Sequence, residues 1–369
     1  MKKILIAAAA LCCAMTLTVL TACTSDNDDA PITSPTETTD TIRYHFASQE
    51  EGRRLRMDNT AYFESLTQND IDWKLAVSGK SLDEFKALAA GQIEDFTAEE
   101  KQALSKTMDF IEAHCKELGF RLPCKEEIVF IKTKMDDEGH VGGYTLKNEI
   151  YLCDFETERF ARAYQGDATL DADYREYRIH FAREIVSHEI FHTLSRNDAE
   201  FRQLMYNLIG FTIMDHEIEF GPTVKNMLLH NPDVERYDNY ADFTINGQKR
   251  RCTLIAAYPS SYADAAAVNP DANFFYDMQS VLVPFDEPDT MIPISDASDF
   301  YSVIGHNTDY ICAAEECIAD NFSFLIAYGF NGRYDHWVED NKIHFIPYET
   351  TQLIRNMHNT LLEHYAIKH

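Results

Sequence analysis

The chain has few basic residues and few residues that break regular structure. Its 369 residues include 33 Lys and Arg against 61 Asp and Glu, a formal net charge of −28. Such a chain repels phosphate backbones, which argues against nucleic-acid binding. It also offers no basic face to anionic lipid. With only 14 glycines and 11 prolines, collagen-like and low-complexity classes are excluded. The hydrophobic content of 45% is enough for a folded core in one large domain or two smaller ones.

The amino terminus has the pattern of an export signal. Lys2 and Lys3 precede an apolar run over 4–20, and Leu20-Thr21-Ala22-Cys23 follows. A basic start, an apolar core and small residues before a cut predict a signal peptide over 1–22. The last four residues resemble the lipobox of bacterial lipoproteins, and this resemblance implies lipidation of Cys23. The alternative is an ordinary secretion signal with an incidental cysteine.

The segment 23–41 has almost nothing to bury and is expected to be a flexible tether. Its cluster Ser25-Asp26-Asn27-Asp28-Asp29 resembles an acidic signal that directs some Gram-negative lipoproteins to the outer face. Thr24 stands where the inner-membrane retention signal has Asp. We therefore expect a lipid-anchored protein of the outer membrane, exposed at the cell surface, whose only membrane contact is the lipid on Cys23.

The six cysteines after Cys23 give no metal pattern. None forms a CxxC pair, so a thiolate zinc site is not expected. Their even number permits disulfides in an exported protein, in any of several pairings, but a core this large does not require them. Buried free thiols are the simplest expectation.

From residue 42 to 369 the pattern predicts a single α+β domain. We expect strands at 127–132, 142–152 and 274–284, the second with a turn at Lys147-Asn148, and an Asn246-Gly247 hairpin. The Asn231-Pro232-Asp233 sequence predicts a simple turn. The expected helices span 82–90, 98–118, 174–195, 201–209, 313–328 and 350–365.

The helix expected over 174–195 contains the motif HExxH, at 188–192. One helical turn separates His188 from His192, so both imidazoles point the same way at the spacing of metal ligands. Glu189 lies beside them, where it can act as the general base for water at a zinc ion. The sequence therefore predicts a zinc site, and a catalytic zinc requires a third protein ligand.

The third ligand is expected from the helix over 313–328. Glu316 and Asp320 lie four apart on one face of a helix that small and apolar neighbours predict to be buried. With HExxH, this ExxxD pair resembles the gluzincins, the thermolysin-like clan of zincin metallopeptidases. The resemblance implies that Glu316 binds zinc and that Asp320 orients His188 through its other ring nitrogen. Glu315 is the alternative ligand, although it is poorly spaced from Asp320.

A second possibility for the third ligand is Asp198, six residues after His192. It would fit an arrangement similar to the metzincins, HExxHxxGxxD, in which a glycine turns the chain back to the metal. Ser195 occupies that glycine position here, which disfavours the turn.

The resemblance also implies a zincin-like fold. A small mixed sheet, with an exposed edge strand that accepts peptide substrate, would pack on the active-site helix. The 123 residues between His192 and Glu316 exceed the thermolysin-like link. Residues 199–300 are therefore expected to be a mixed α/β insertion, which could form a lid over the cleft.

A gluzincin also needs a hydrogen-bond donor for the oxyanion of the attacked carbonyl. Tyr310 and His306 are the nearest candidates by position, followed by Tyr334 and His336.

Taken together, these patterns predict a surface lipoprotein that hydrolyses peptides or proteins with zinc. The rival hypothesis is a binding lipoprotein on a zincin scaffold without catalysis, and the intact Glu189 argues against it.

Overall fold

The structure is a computed structural model that describes residues 41–330, 334–339, 342–347 and 351–367, with the backbone alone for 334–339 and 342–347. The leader and Cys23 lie outside the described residues. Within the described part the chain forms helices α1 to α14: Gln49–Met57, Thr60–Ser65, Gln68–Leu75, Leu82–Gln92, Ala98–Glu117, Asp154–Gln165, Ala172–Asn197, Ala199–Leu208, Pro222–Met227, Tyr262–Val268, Phe274–Asp277, Phe300–Ile304, Ala314–Tyr328 and Gln352–Tyr365.

The strands fall into two larger sheets and a hairpin. Strands β1 to β12 are Tyr44–Phe46, Ile93–Glu94, Ile128–Thr133, Gly143–Leu146, Glu149–Cys153, Thr212–Ile213, Asn239–Ile245, Gln248–Ala257, Gln279–Pro284, Ile292–Pro293, Tyr334–Glu339 and Lys342–Pro347. The predicted mixed α+β class is confirmed. Among the described helices, none combines the length and the apolar character needed to cross a membrane.

The first sheet is small and mixed, and it positions the site. Its strand order is β1-β3-β5-β4, with β2 pairing β3 beside β1. Strands β1, β3 and β5 are parallel, whereas β4 is antiparallel to β5 and forms the edge. The predicted turn joins β4 to β5, and Lys147 adopts a φ of 52° in it.

Strand β4 is an edge strand, as the sequence predicts, but it is not exposed over residues 144–146. Tyr144, Thr145 and Leu146 are all buried. The expectation of an exposed edge is therefore wrong here, because residues 231–233 cover it.

Residues 199–300 contain the second sheet, which is antiparallel with the order β10-β9-β8-β7-β6. The Asn246-Gly247 pair forms the predicted hairpin between β7 and β8, with positive φ at both residues. Phe243, Leu254 and Leu282 of this sheet belong to the same hydrophobic cluster as α7 and α13. The segment therefore shares the main core of the protein.

The core is centred on the pair α7 and α13. Val186, Ile190 and Phe191 of α7 are fully buried, and Phe191 packs against Phe322 of α13 with 5.4 Å between ring centroids. Every residue of α13 except Asp320 is buried. This packing fixes the two helices that carry the predicted metal ligands.

Candidate metal centre

Helix α7 presents His188 and His192 one turn apart. The helix begins after Asp171, whose side chain accepts a hydrogen bond from the Asp173 amide. His192 is fully buried, and the side chain of His188 is 12% exposed. Their ring centroids lie 4.9 Å apart, so the two imidazoles share one side of the helix, as the motif predicts.

Glu316 comes from α13 and meets both histidines. Its Oε2 lies 3.1 Å from Nε2 of His188 and 3.9 Å from Nε2 of His192. The three ligand atoms are close enough together to hold one metal ion. The structure thus brings together the three residues that the sequence nominates as ligands, across 123 intervening residues.

The Nδ1 atoms of His188 and His192 face carboxylates of α13. Nδ1 of His192 lies 3.0 Å from Oε1 of Glu315, and Nδ1 of His188 lies 3.8 Å from Oδ1 of Asp320. Carboxylates that hold the distal nitrogen orient an imidazole and raise its basicity toward a metal. Asp320 therefore has the position that the sequence predicts, and Glu315 faces Nδ1 of His192 instead of the point where the three ligand atoms meet.

Glu315 is itself held by hydroxyl groups. Tyr206 donates to its Oε2 at 2.5 Å, and Ser195 donates to its Oε1. Glu315 and Glu316 both lie in the first turn of α13, where the positive end of the helix dipole favours negative charge. These contacts explain how two adjacent glutamates can be buried in the core.

The donor set fits a divalent cation such as zinc. Nε2 of His192 is buried and has no hydrogen-bond partner among the described residues, although it points at Glu316 and Asp233 from 3.9 Å each. A buried polar atom without a partner is costly, so it requires an explanation. Two imidazole nitrogens and a carboxylate are a ligand set of catalytic zinc sites.

Charges in the site also favour a cation. Burial raises the pKa of Glu189, and burial together with the charges of Glu189 and Glu316 raises the pKa of Asp233 well above its ordinary value. Burial lowers the pKa of His188, but the hydrogen bond to Glu316 and the charges of Glu316, Glu189 and Asp320 together outweigh this effect and raise the pKa to about 10. The site thus stabilises positive charge at the position of His188 and Glu316.

Glu189 is placed as a base beside the ligands. The hydroxyl of Thr145 in β4 donates to its Oε2 at 2.7 Å. Gly143 lets the strand come close, since a methyl group there would lie 3.1 Å from Oε1 of Glu189. Strand β4 and helix α7 therefore hold the Glu189 carboxylate together. Burial favours the protonated form of Glu189, which is the form that a base has after it takes a proton from water.

Two further residues at the candidate site come from the segment that the sequence marks only as a turn. Nδ2 of Asn231 donates to Oε1 of Glu316 at 2.5 Å, and Oδ1 of Asp233 accepts from the Thr145 amide at 2.6 Å. Asp233 also forms, with Glu189 and His192, a second group that could hold a metal ion. The turn is present, but the prediction that it is no more than a turn is wrong.

Asp198 does not lie at this cluster. Helix α7 continues through Ser195 to Asn197, so the chain does not turn back toward the histidines there. Asp198 instead caps α8 by accepting from the Phe201 amide at 3.0 Å, and it pairs with Lys125 at 2.8 Å. The metzincin-like alternative for the third ligand is therefore wrong.

Of the two oxyanion candidates, only Tyr310 is near the cluster. Its ring centroid lies 6.0 Å from that of His188, and burial raises its pKa, so the phenol keeps its proton. His306 is exposed and packs on the ring of Tyr301 at 4.4 Å. The side chains of Tyr334 and His336 lie outside the described residues.

The six cysteines after Cys23 are free, and all but Cys124 are buried: Cys115, Cys124, Cys153, Cys252, Cys312 and Cys317.

Replacing Glu315 by Gln is expected to weaken zinc binding about 10- to 100-fold, because the His192 imidazole loses its anionic partner. A titration with a competing chelator measures this. Tyr206→Phe removes one hydrogen bond to Glu315 but leaves its charge, so we expect a smaller loss. Equal affinity of Glu315→Gln and wild type would contradict the role given to Glu315.

Neither a protein-family model, nor a curated protein, nor a solved structure matches the chain.

Proposed function

We propose that the protein is a zinc-dependent peptidase of gluzincin type that acts as a lipoprotein at the surface of the outer membrane. His188, His192 and Glu316 hold the metal. The observation that carries the proposal is the convergence of these three side chains on one point, with Glu189 beside it and a carboxylate behind each imidazole.

Each residue has a separate task in this proposal. A bound zinc ion supplies a Lewis acid and lowers the pKa of water. Glu189 takes a proton from the attacking water and returns it to the leaving amine, a transfer assisted by its raised pKa. Tyr310 would donate a hydrogen bond from its phenolic hydroxyl to the oxyanion of the attacked carbonyl and keep its proton. Asn231 holds Oε1 of Glu316, which leaves Oε2 directed at the histidines.

The lipid anchor belongs to the same proposal. Cys23 would carry the lipid, and the tether over 23–41 would separate the domain from the membrane. The support is the lipobox pattern of the sequence.

Zinc content tests the ligand set. Elemental mass spectrometry of the purified protein is expected to find about one zinc per chain, and the Glu316→Ala variant is expected to lose most of it because two histidines alone bind zinc weakly. Glu363→Ala, an exposed acid on α14, is the control and should keep its zinc. Zinc retained by Glu316→Ala would show that the third ligand lies elsewhere. Zinc in the wild type without hydrolysis of any peptide would favour the binding lipoprotein.

A further inference from the structure

A short segment that we name the strap, residues 230–233, crosses the candidate site and is held from several sides. His230 is fixed to Asp70 of α3 through both its amide, at 3.0 Å, and its Nδ1, at 2.7 Å. Arg196 of α7 donates to the carbonyl oxygens of Pro232 and Asp233, at 2.8 and 2.9 Å. With so many anchors, the strap is a fixed wall.

The strap closes the edge of β4. The backbone amide of Thr145 points away from β5. The amide of Gly143, two residues earlier, has the same orientation, because the backbone groups that face outward alternate along a strand. The Thr145 amide is taken by Asp233, at the position where a substrate carbonyl would otherwise bind. A peptide that adds to β4 can therefore pair at Gly143 but cannot continue past Thr145.

The space around β4 is accordingly divided in two. A small pocket of about 40 Å³ lies on the Gly143 side and is bordered by Gly143, Asp233 and Tyr310, with Phe274 and Phe275 among its apolar walls. A separate and larger groove of about 400 Å³ lies beyond the strap, lined by Leu146, Lys147 and Arg196. Both spaces share Asn231 and Pro232 as a boundary. The pocket adjoins the candidate metal centre through Tyr310 and Asp233, which lie next to His188 and His192, and it ends at the strap.

The direction of β4 decides which end of a substrate meets this wall. An antiparallel partner strand gives the stronger pairing, and it would run from the Leu146 end of β4 toward Gly143. The blocked side then receives the amino-terminal part of the substrate. Because Oδ1 of Asp233 lies 3.9 Å from Nε2 of His192, there is little room for substrate between the proposed metal position and Asp233.

The charge at the wall agrees with this direction. Asp233 is 5% exposed and borders the pocket, and Glu189 and Glu316 lie behind it. Because burial and the neighbouring carboxylates raise the pKa of Asp233, a nearby ammonium group would favour its ionised form, whereas a substrate carboxylate would add to the repulsion. Arg196 lines the groove beyond the strap, and Lys74, which borders the pocket, is paired with Glu138. An α-amino group is therefore the better match for Asp233.

We propose that the protein removes residues from the amino terminus of peptides, with Asp233 binding the free α-ammonium group of the substrate. This inference rests on the proposed peptidase function and names its substrate class, peptides with an unblocked amino terminus.

Two peptides of one sequence test the inference, one with a free and one with an acetylated amino terminus. With the purified zinc-loaded protein we expect the free peptide to be shortened from its amino terminus, and the acetylated one to react about 100-fold more slowly, because a buried carboxylate loses its charged partner. Mass spectrometry of the products identifies the bond. Cleavage inside the acetylated peptide at a similar rate, or trimming from the carboxyl terminus, would overturn the inference and leave the peptidase function intact.

The variant Asp233→Asn keeps an acceptor for the Thr145 amide and removes only the charge. We expect it to retain zinc and to lose the preference for the free peptide. Glu235→Gln, an exposed carboxylate next to the strap, is the matched control and should keep the preference. Loss of zinc from Asp233→Asn would make Asp233 a metal ligand and overturn its assignment to the substrate.

A binding measurement separates this inference from catalysis. The zinc-loaded Glu189→Gln variant should bind the free peptide about 100-fold more tightly than the acetylated one in calorimetry. If no peptide is hydrolysed by the wild type but this preference is present, the peptidase function fails and the amine site stands. Equal binding of both peptides would overturn the amine site.

Discussion

Replacing Glu189 by Gln is expected to lower the rate of peptide hydrolysis by about 10²- to 10⁴-fold, the range for loss of a general base. The amide is nearly isosteric and can still accept the Thr145 hydroxyl, so the packing of β4 on α7 is retained. It cannot take a proton from water at neutral pH. Rates measured on the same peptide for both proteins, with zinc content determined in parallel, give the result.

The matched control is Glu176→Gln, the same substitution on an exposed position of the same helix. This variant should keep the wild-type rate. If Glu189→Gln lost its zinc, Glu189 would belong to the metal ligands, as in the alternative group with His192 and Asp233. Unchanged hydrolysis by Glu189→Gln would contradict the proposed mechanism directly.

Arg56→Ala is expected to reduce the free energy of unfolding by about 3–5 kcal/mol, the usual cost of breaking a buried ion pair. The Arg56 guanidinium is fully buried and lies 2.8 Å from Asp137 and 3.1 Å from Glu138. It also stacks over the rings of Phe63 and Tyr144. The alanine variant leaves Glu138 paired with Lys74 but removes the ion pair of the buried Asp137.

Equilibrium unfolding in urea measures this loss. Arg54→Ala is the control, since Arg54 lies on the same helix and forms an exposed pair with Asp58 at 3.2 Å. Exposed pairs contribute about 0–1 kcal/mol, so the control should change stability little. A similar small effect for Arg56→Ala would mean that the buried cluster is dispensable for folding.

The local parts of the fold could be predicted because their signals are local. The capping box of Thr97 and Glu100 marks the start of α5, and it is present with both hydrogen bonds. The spacing of His188 and His192 placed both rings on one side of α7. Short-range patterns of this kind depend only on helix geometry and not on the rest of the chain.

The strand predicted from Phe274 to Pro284 was wrong in its first part. Residues Phe274–Asp277 form a short helix, and the strand begins only at Gln279. The side chain of Asn273 accepts from the Phe275 amide and starts that helix. An apolar run by itself does not distinguish the two structures, since the deciding hydrogen bond comes from a single preceding residue.

The outer parts of the site could not be predicted, because they depend on how distant segments pack. The spacing to Asp320 favoured Glu316 over Glu315 as the ligand, but the contact of Glu315 with Nδ1 of His192 depends on the angle at which α13 meets α7. Asn231 and Asp233 reach the site through anchors in α3, α7 and β4. The available sequence signal was weak, namely two potential metal-binding side chains in a turn that follows the motif by about 40 residues.

The hydrogen bonds between Asp70 and His230 set a limit on how far the protein could be shortened. Helix α3 precedes the motif helix by about 100 residues, yet its Asp70 secures the strap that orients Glu316 and covers β4. A fragment that starts at β3 would contain every proposed metal ligand and the base. It would nevertheless lack the support for the wall, so the smallest autonomous unit must begin ahead of Thr67, whose side chain caps that helix.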